Sequence, residues 1–110
     1  MLSPEAAYVL PESLKDMKDA DFTGFPRLCP DFVIELLSPT DSLARTRVKM
    51  KRWIENGVQL GWLIDPYLRK AYVYAPGTPQ VTVVDSAVHG SGPVEGFVLD
   101  LARVWRCYEL

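Results

Sequence analysis

The chain has 110 residues, of which 48% are hydrophobic and 24% are charged, and its net charge is −2 at pH 7. This length predicts a single domain with one core, and the composition is that of an ordinary globular protein. No apolar run approaches the roughly 18 residues that span a bilayer, and the first residues lack a basic segment followed by an apolar one. We therefore expect neither a membrane protein nor a secreted one, and a cytoplasmic location.

The charged residues are distributed unevenly along the chain. Residues 1–42 contain eight acidic and three basic residues, whereas residues 43–75 contain seven basic and two acidic ones. This separation is compatible with acids that hold a metal ion beside bases that hold a phosphate. It is equally compatible with an internal network of ion pairs, so the charge pattern alone leaves both open.

The N-terminal part predicts one short strand followed by a loop. Residues 3–9, SPEAAYV, could form a strand with Glu5 at its start. Residues 10–28 mix acids, lysines, glycine and proline, which is typical of an irregular surface loop.

A buried strand is predicted at residues 31–37, because the apolar run FVI-LL is nearly continuous. Glu35 lies inside this run, where a carboxylate is costly unless a base pairs with it or it binds a metal ion. Alternation along the strand puts Asp31 on the same face, which makes it a second candidate ligand. The spacing alone favours an ion pair between Glu35 and a base of the next helix over metal binding.

An amphipathic helix is predicted after the Ser-Pro-Thr-Asp turn, with Thr40 or Asp41 as its N-cap and an end at Asn56-Gly57. One face has the spacing expected for packing on a sheet; it comprises Leu43, Arg47, Met50, Trp53 and Ile54.

A second face of this helix is basic, since Arg45, Lys49 and Arg52 are i, i+4 and i+7 neighbours. Lys49 could reach a reacting phosphate while the two arginines contact neighbouring phosphates. The alternative is an ordinary solvated basic face, which is the usual meaning of such a run.

The rest of the chain predicts a meander of strands at residues 58–64, 70–74 and 81–84, with Asp65 starting the first turn. Residues 90–96 form a loop, and residues 97–105 a short strand that turns into a helical segment. We expect the three tryptophans to lie in the core. The order of elements predicts an α/β fold with a helix packed on a sheet.

Other catalytic chemistries have little support. Cys29 and Cys107 form no CxxC motif, so we expect buried free thiols rather than a zinc site. His89 is the only histidine and lies in a Gly/Ser loop. Neither a glycine-rich phosphate loop nor a GxSxG motif is present.

The segments PDFVIELLSPTD, NGVQLGWLIDP and KAYVYAPG, with GFVLDL near the end, resemble the Uma family, which is abundant in cyanobacteria. The family comprises restriction endonucleases of the PD-(D/E)XK nuclease superfamily. The resemblance extends from about Ser3 to Trp105. It implies a restriction-endonuclease-like core, in which a helix packs on a mixed sheet, and magnesium-dependent hydrolysis of DNA phosphodiester bonds.

The resemblance also implies which residues form the site. SPEAAYV matches the family's Ser-Pro-Asp strand, with Glu5 in place of the first acid, and Glu35 matches the second acid. Leu37 occupies the position of the superfamily lysine, and Lys49 matches the helix lysine that takes its place. The expected catalytic residues are therefore Glu35, Lys49 and Glu5, and the expected Mg²⁺ ligands are Glu5 and Glu35 with Asp31 as a helper.

Family members usually carry an N-terminal helix and further strands before this point. The resemblance therefore implies that residues 1–110 are one partial domain that lacks these elements. Two alternatives stay open: a catalytically inactive remnant, and a non-enzymatic α/β interaction domain in which Glu35 pairs with a helix base. A homodimer is compatible with the function, because cutting both DNA strands requires two sites or two visits.

Overall fold

The computed structural model describes residues 6–8, 30–78 and 81–109 of the chain. These residues form seven strands, two α-helices and one 3-10 turn. The strands are β1 (Ala6–Tyr8), β2 (Phe32–Leu36), β3 (Leu60–Asp65), β4 (Lys70–Tyr74), β5 (Thr82–Val84), β6 (Ala87–His89) and β7 (Val98–Asp100). The helices are α1 (Leu43–Glu55) and α2 (Leu101–Arg106), and the 3-10 turn is Gly92–Val94. The predicted α/β class, with a mixed sheet and a helix packed on it, is confirmed.

The first five strands form one sheet in chain order, and β6 pairs with β7 in a second, smaller sheet. Within the larger sheet only β2 and β3 are parallel. Because β2 and β3 run in the same direction, both of them end at the same edge of the sheet, and α1 forms the crossover between them. Leu37 N donates to Ile64 O there at 2.9 Å, so the segments that follow β2 and β3 leave the sheet side by side.

The strands β2 and β3 of the larger sheet are buried on both faces, and their side chains alternate between two apolar clusters. One cluster comprises Phe32, Leu60, Trp62, Ile64, Ala71, Val88, Leu101 and Trp105, beneath β6 and α2. The other comprises Val33, Met50, Trp53, Val58, Leu63, Tyr72 and Tyr74, beneath α1. This double burial is what the continuous apolar run of β2 predicts, and it places all three tryptophans in the core, as expected.

Helix α1 packs closely on β3, because Gly61 has no side chain. A Cβ atom at Gly61 would lie 2.7 Å from Met50 Cε and 3.3 Å from Val33 Cγ2. A larger residue at this position would therefore require the end of the fully buried Met50 side chain to shift. None of the helices in the described ranges is both long enough and apolar enough to cross a bilayer.

Three local predictions were wrong. Ser42 caps α1, with its side chain accepting from Arg45 N, because the carboxylate of Asp41 is bonded to Ser38 instead. The strand β6 was missed, since its three residues are too short to show a pattern. Cys107 is a free thiol but exposed, because it follows α2 on the outer side of the fold; Cys29 lies outside the described residues.

Candidate active site

The centre of the candidate site is Glu35, which β2 places on the face covered by α1. Its side chain is only 5% exposed, and α1 contacts both of its carboxylate oxygens. Lys49 Nζ lies 3.2 Å from Oε2, and Trp53 Nε1 donates to Oε1 at 3.3 Å. Residues four apart share one side of a helix, so a single helical face holds the whole carboxylate.

This carboxylate lines an open cleft of about 260 Å³ at the edge where β2 ends. The cleft is lined by Glu35, Leu36, Thr40, Asp41, Ser42, Arg45, Thr46 and Lys49. The Lys49 side chain is 31% exposed, so the ion pair is buried on the Glu35 side and open to solvent on the other. The cleft thus places a fixed carboxylate, which is a suitable ligand for a metal ion, beside two cations, Lys49 and Arg45, which are suited to binding a phosphate.

The turn between β2 and α1 adds a second carboxylate to the cleft. Asp41 Oδ2 accepts from Ser38 N at 2.9 Å and from Ser38 Oγ at 2.7 Å. These bonds, the backbone one first, hold the pKa of Asp41 below its usual value, and the positive charge of Lys49 acts in the same direction. Asp41 is therefore an anion at neutral pH and lies at the rim of the cleft.

Not all of the sequence-predicted residues meet there. Asp31 is 5% exposed, and its Oδ1 accepts from Gln59 Nε2 at 3.0 Å. It precedes Glu35 by four residues, or about 13 Å of extended strand, and it is not among the residues that line the cleft. Glu5 lies outside the described residues. Within the described ranges, no three His, Cys, Asp or Glu side chains cluster as a ready-made metal site.

Trp53 is the residue whose role the sequence reasoning missed. It was predicted to be a core residue, and it is only 5% exposed, yet its indole also donates to Glu35. The available signal was its position four residues after Lys49, which puts both on one side of the helix. A buried tryptophan usually needs an acceptor for its N–H, and the carboxylate supplies one.

Asp65 does not belong to the site, and its predicted role in the turn is confirmed. Its Oδ1 accepts from Tyr67 N at 2.9 Å and from Leu68 N at 3.1 Å. Through this oxygen the side chain shapes the turn between β3 and β4.

Comparison with known proteins gives a matching family and similar solved structures. The Uma2 family, described as "Putative restriction endonuclease", matches residues 2–102. The chain is also similar to a crystal structure described as "a putative nuclease belonging to DUF820", from Anabaena variabilis ATCC 29413, with 27% sequence identity and a TM-score of 0.66. The match covers 74% of this chain and 46% of that chain, so this chain spans about half the length of that protein. No protein of curated function matches.

Proposed function

Since this chain belongs to the Uma2 family of restriction-endonuclease-like proteins, we propose that its cleft hydrolyses DNA phosphodiester bonds with the help of Mg²⁺. The observation that carries the proposal is the buried carboxylate of Glu35, held at the wall of an open cleft between Lys49 and Trp53. A solvent-facing cation beside a fixed anion is what a metal-assisted attack on a phosphate requires.

The oxygen donors of the cleft fit Mg²⁺ better than zinc. Mg²⁺ keeps several waters and takes one or two protein carboxylates plus phosphate oxygens, so it needs no cluster of three protein ligands. Glu35 is the first proposed ligand. Glu5 is the second proposed ligand, supported by the strand register: Ala6, which follows Glu5 in the sequence, pairs with Ile34, which precedes Glu35. Asp31, at the far end of β2, is not included.

Trp53, which holds Glu35, and the cleft residues Lys49 and Arg45 each have a proposed task. A bound Mg²⁺ ion would polarise a phosphate oxygen and lower the pKa of a bound water. Trp53 fixes the orientation of the Glu35 carboxylate through Oε1, which leaves Oε2 on the side of Lys49. The Lys49 ammonium stabilises the negative charge that develops on the phosphate. Arg45, exposed at the cleft, contacts a neighbouring phosphate of the DNA backbone.

Nicking of supercoiled plasmid in the presence of Mg²⁺ tests this function. We expect Glu35→Gln to lower the nicking rate by about 100-fold or more, because the charge is lost while Oε1 can still accept from Trp53. Glu55→Gln is the matched control: this glutamate is exposed at the end of the same helix, and its replacement should leave the rate unchanged. Nicking that persists in folded Glu35→Gln would disprove the site assignment.

A second candidate function is non-catalytic, and the contact between Lys49 and Glu35 favours it as well. In that case the pair is a structural link between α1 and β2, and the domain only binds a partner. Titration calorimetry with Mg²⁺ distinguishes the catalytic function from the non-catalytic one. Binding of Mg²⁺ at a catalytic site gives a heat signal that is absent in Glu35→Gln, whereas a purely structural pair gives no heat of Mg²⁺ binding.

A further inference from the structure

Two half-exposed tyrosines lie side by side at the edge of the sheet where β2 and β3 end. Tyr67 belongs to the turn after β3 and is 49% exposed, and Tyr108 follows α2 and is 43% exposed. Their ring centroids are 6.0 Å apart, with the planes at 76°. Leu68, beside them in the turn, is 60% exposed. We call these three residues the aromatic platform.

Hydrogen bonds to Asp65 and an exposed ion pair hold the backbone segments that carry the platform. Asp65 Oδ1 accepts from the backbone N–H groups of Tyr67 and Leu68. Arg69 adopts a positive φ of 55°, which closes the turn, and its Nη2 lies 2.9 Å from Oε1 of Glu109. This ion pair joins the turn to the segment that carries Tyr108. Because the two rings contact each other edge to face, each restricts the rotamers of the other, which lowers the conformational entropy lost when a flat ligand binds.

The platform borders the candidate active site. The cleft-lining segment leaves β2 beside the Tyr67 turn, as the bond from Leu37 N to Ile64 O shows. The pKa of Tyr67 is raised, chiefly by desolvation, then by Tyr108, Asp65 and Asp41. Since Asp41 lines the cleft, its influence on the phenol indicates that the two surfaces are neighbours.

The chemistry of the platform fits a nucleobase. Two exposed arginines are close to it in the sequence: Arg69 follows Tyr67 by two residues and is paired with Glu109, and Arg106 precedes Tyr108 by two residues. Aromatic rings with neighbouring arginines bind single-stranded nucleic acid, because bases stack on the rings while the cations meet the phosphates. In an intact duplex the bases are stacked on one another, so their faces are closed to such a platform.

We propose that an unpaired base of the DNA strand that enters the cleft stacks on the face of one of the two tyrosine rings, Tyr67 or Tyr108, with the edge of the other ring beside it. The site therefore prefers single-stranded or locally unpaired DNA to an intact duplex. This inference rests on the proposed function for its ligand, DNA, but it does not depend on cleavage.

Fluorescence anisotropy of the 110-residue chain tests the proposal, with a labelled single-stranded oligonucleotide and the blunt duplex of the same sequence, both in EDTA. We expect the single strand to bind more tightly. Tyr67→Ala and Tyr108→Ala should each weaken single-strand binding by about tenfold, in the range of one stacked base. Tyr67→Phe keeps the ring and should bind within about twofold of the parent.

Phe97→Ala is the matched control, since Phe97 is 41% exposed but packs against Trp62 at a centroid distance of 5.7 Å. It should leave single-strand binding unchanged, and thermal unfolding confirms that each variant is folded. Equal losses in Phe97→Ala and Tyr67→Ala, or tyrosine variants that bind like the parent, would overturn the proposal. So would tighter binding of the duplex, or no binding of either DNA.

The proposal of catalysis at Glu35 and the proposal of base stacking on the aromatic platform can each be refuted without the other. If Glu35→Gln nicks plasmid as the parent does, but the tyrosine variants lose single-strand binding, the active-site assignment fails and the platform stands. If nicking depends on Glu35 while the tyrosine variants bind like the parent, the platform alone is refuted.

Discussion

Trp53 Nε1 lies 3.3 Å from Oε1 of Glu35, so a core tryptophan of α1 holds a buried carboxylate of β2. The acceptor is a carboxylate shielded from water, so losing this donor would leave a buried charged oxygen without a partner. The two oxygens of the carboxylate therefore have different partners, since Oε1 accepts from the indole and Oε2 accepts from Lys49. Trp53 thus belongs to the core and also holds Glu35 in the candidate site.

Trp53→Phe removes this donor and keeps an aromatic ring in the core. We expect a loss of about 1–3 kcal/mol in the free energy of unfolding, measured in urea, because a buried carboxylate oxygen is left without its donor. We also expect slower Mg²⁺-dependent nicking, because the carboxylate is no longer fixed.

The control for Trp53→Phe is Trp105→Phe. Trp105 is equally buried, but its Nε1 donates to the carbonyl oxygen of Asp85 at 3.0 Å, outside the cleft. This change should lower stability and leave the nicking rate of the folded fraction intact. Equal effects of both changes on nicking would mean that the indole of Trp53 only packs.

Lys49→Met is expected to lower the free energy of unfolding by about 1–2 kcal/mol. Removing one partner of a buried pair leaves a carboxylate uncompensated, and the partial exposure of Lys49 reduces the loss. Lys51→Met, an exposed change on the same helix, should have almost no effect. In the double variant with Glu35→Gln the loss should be smaller than the sum of the single losses, since the two residues are in contact. Additive losses would show that the pair is not coupled in solution.

Gly61→Ala should destabilise the fold by about 1–3 kcal/mol, as expected when a methyl group is inserted into a packed core. The added Cβ would lie 2.7 Å from Met50 Cε, so the helix or the methionine has to move. Combining it with Met50→Ala should recover part of the loss that the glycine change causes, which urea unfolding of the four variants can measure. A neutral Gly61→Ala would contradict the close approach of α1 to β3.

The pH dependence of stability should include a contribution from Asp41. Its pKa is lowered in the folded chain, so its stabilising effect is complete above the unfolded value of about 3.9 and disappears as the pH falls through the folded value. NMR titration should place the pKa of Asp41 below its usual range. Ser38→Ala should raise it only partly, because the backbone donor remains, and Asp41→Asn should remove this contribution altogether.

The sequence alone predicted the central part of the fold because its signals are local and strong. The unbroken apolar run of β2, the helical period of α1 and the Asn56-Gly57 stop each reflect one dominant physical preference. Gly57 indeed has a φ of 111°, which a residue with a side chain rarely adopts. The N-cap was harder, because Ser38 competes for the carboxylate of Asp41, and neighbouring turn residues with similar capping propensity cannot be ranked without that contact.

The candidate site was predictable only in part, for a reason of geometry. Glu35 was conspicuous because it interrupts an apolar run, and Lys49 followed from the family resemblance. Alternation predicts that Asp31 and Glu35 share a face of the strand, but a shared face does not imply proximity along it. The bond from Trp53 connects positions 18 residues apart, and only the packing of α1 on β2 brings them together.

The parallel pairing of β2 with β3 has a consequence for the order of folding. Glu35, Lys49 and Trp53 all lie within the single crossover from β2 through α1 to β3, which spans residues 32–65. Joining them closes loops of 14 residues to Lys49 and 18 residues to Trp53, whereas the antiparallel pair of β3 and β4 closes at Asp65 and Lys70, which are five residues apart. Because short loops lose less entropy on closing, the hairpin of β3 and β4 should form before the parallel crossover. The carboxylate, the lysine and the indole should therefore meet only when α1 packs on a sheet that has begun to form, and hydrogen exchange should find their amides opening as one unit.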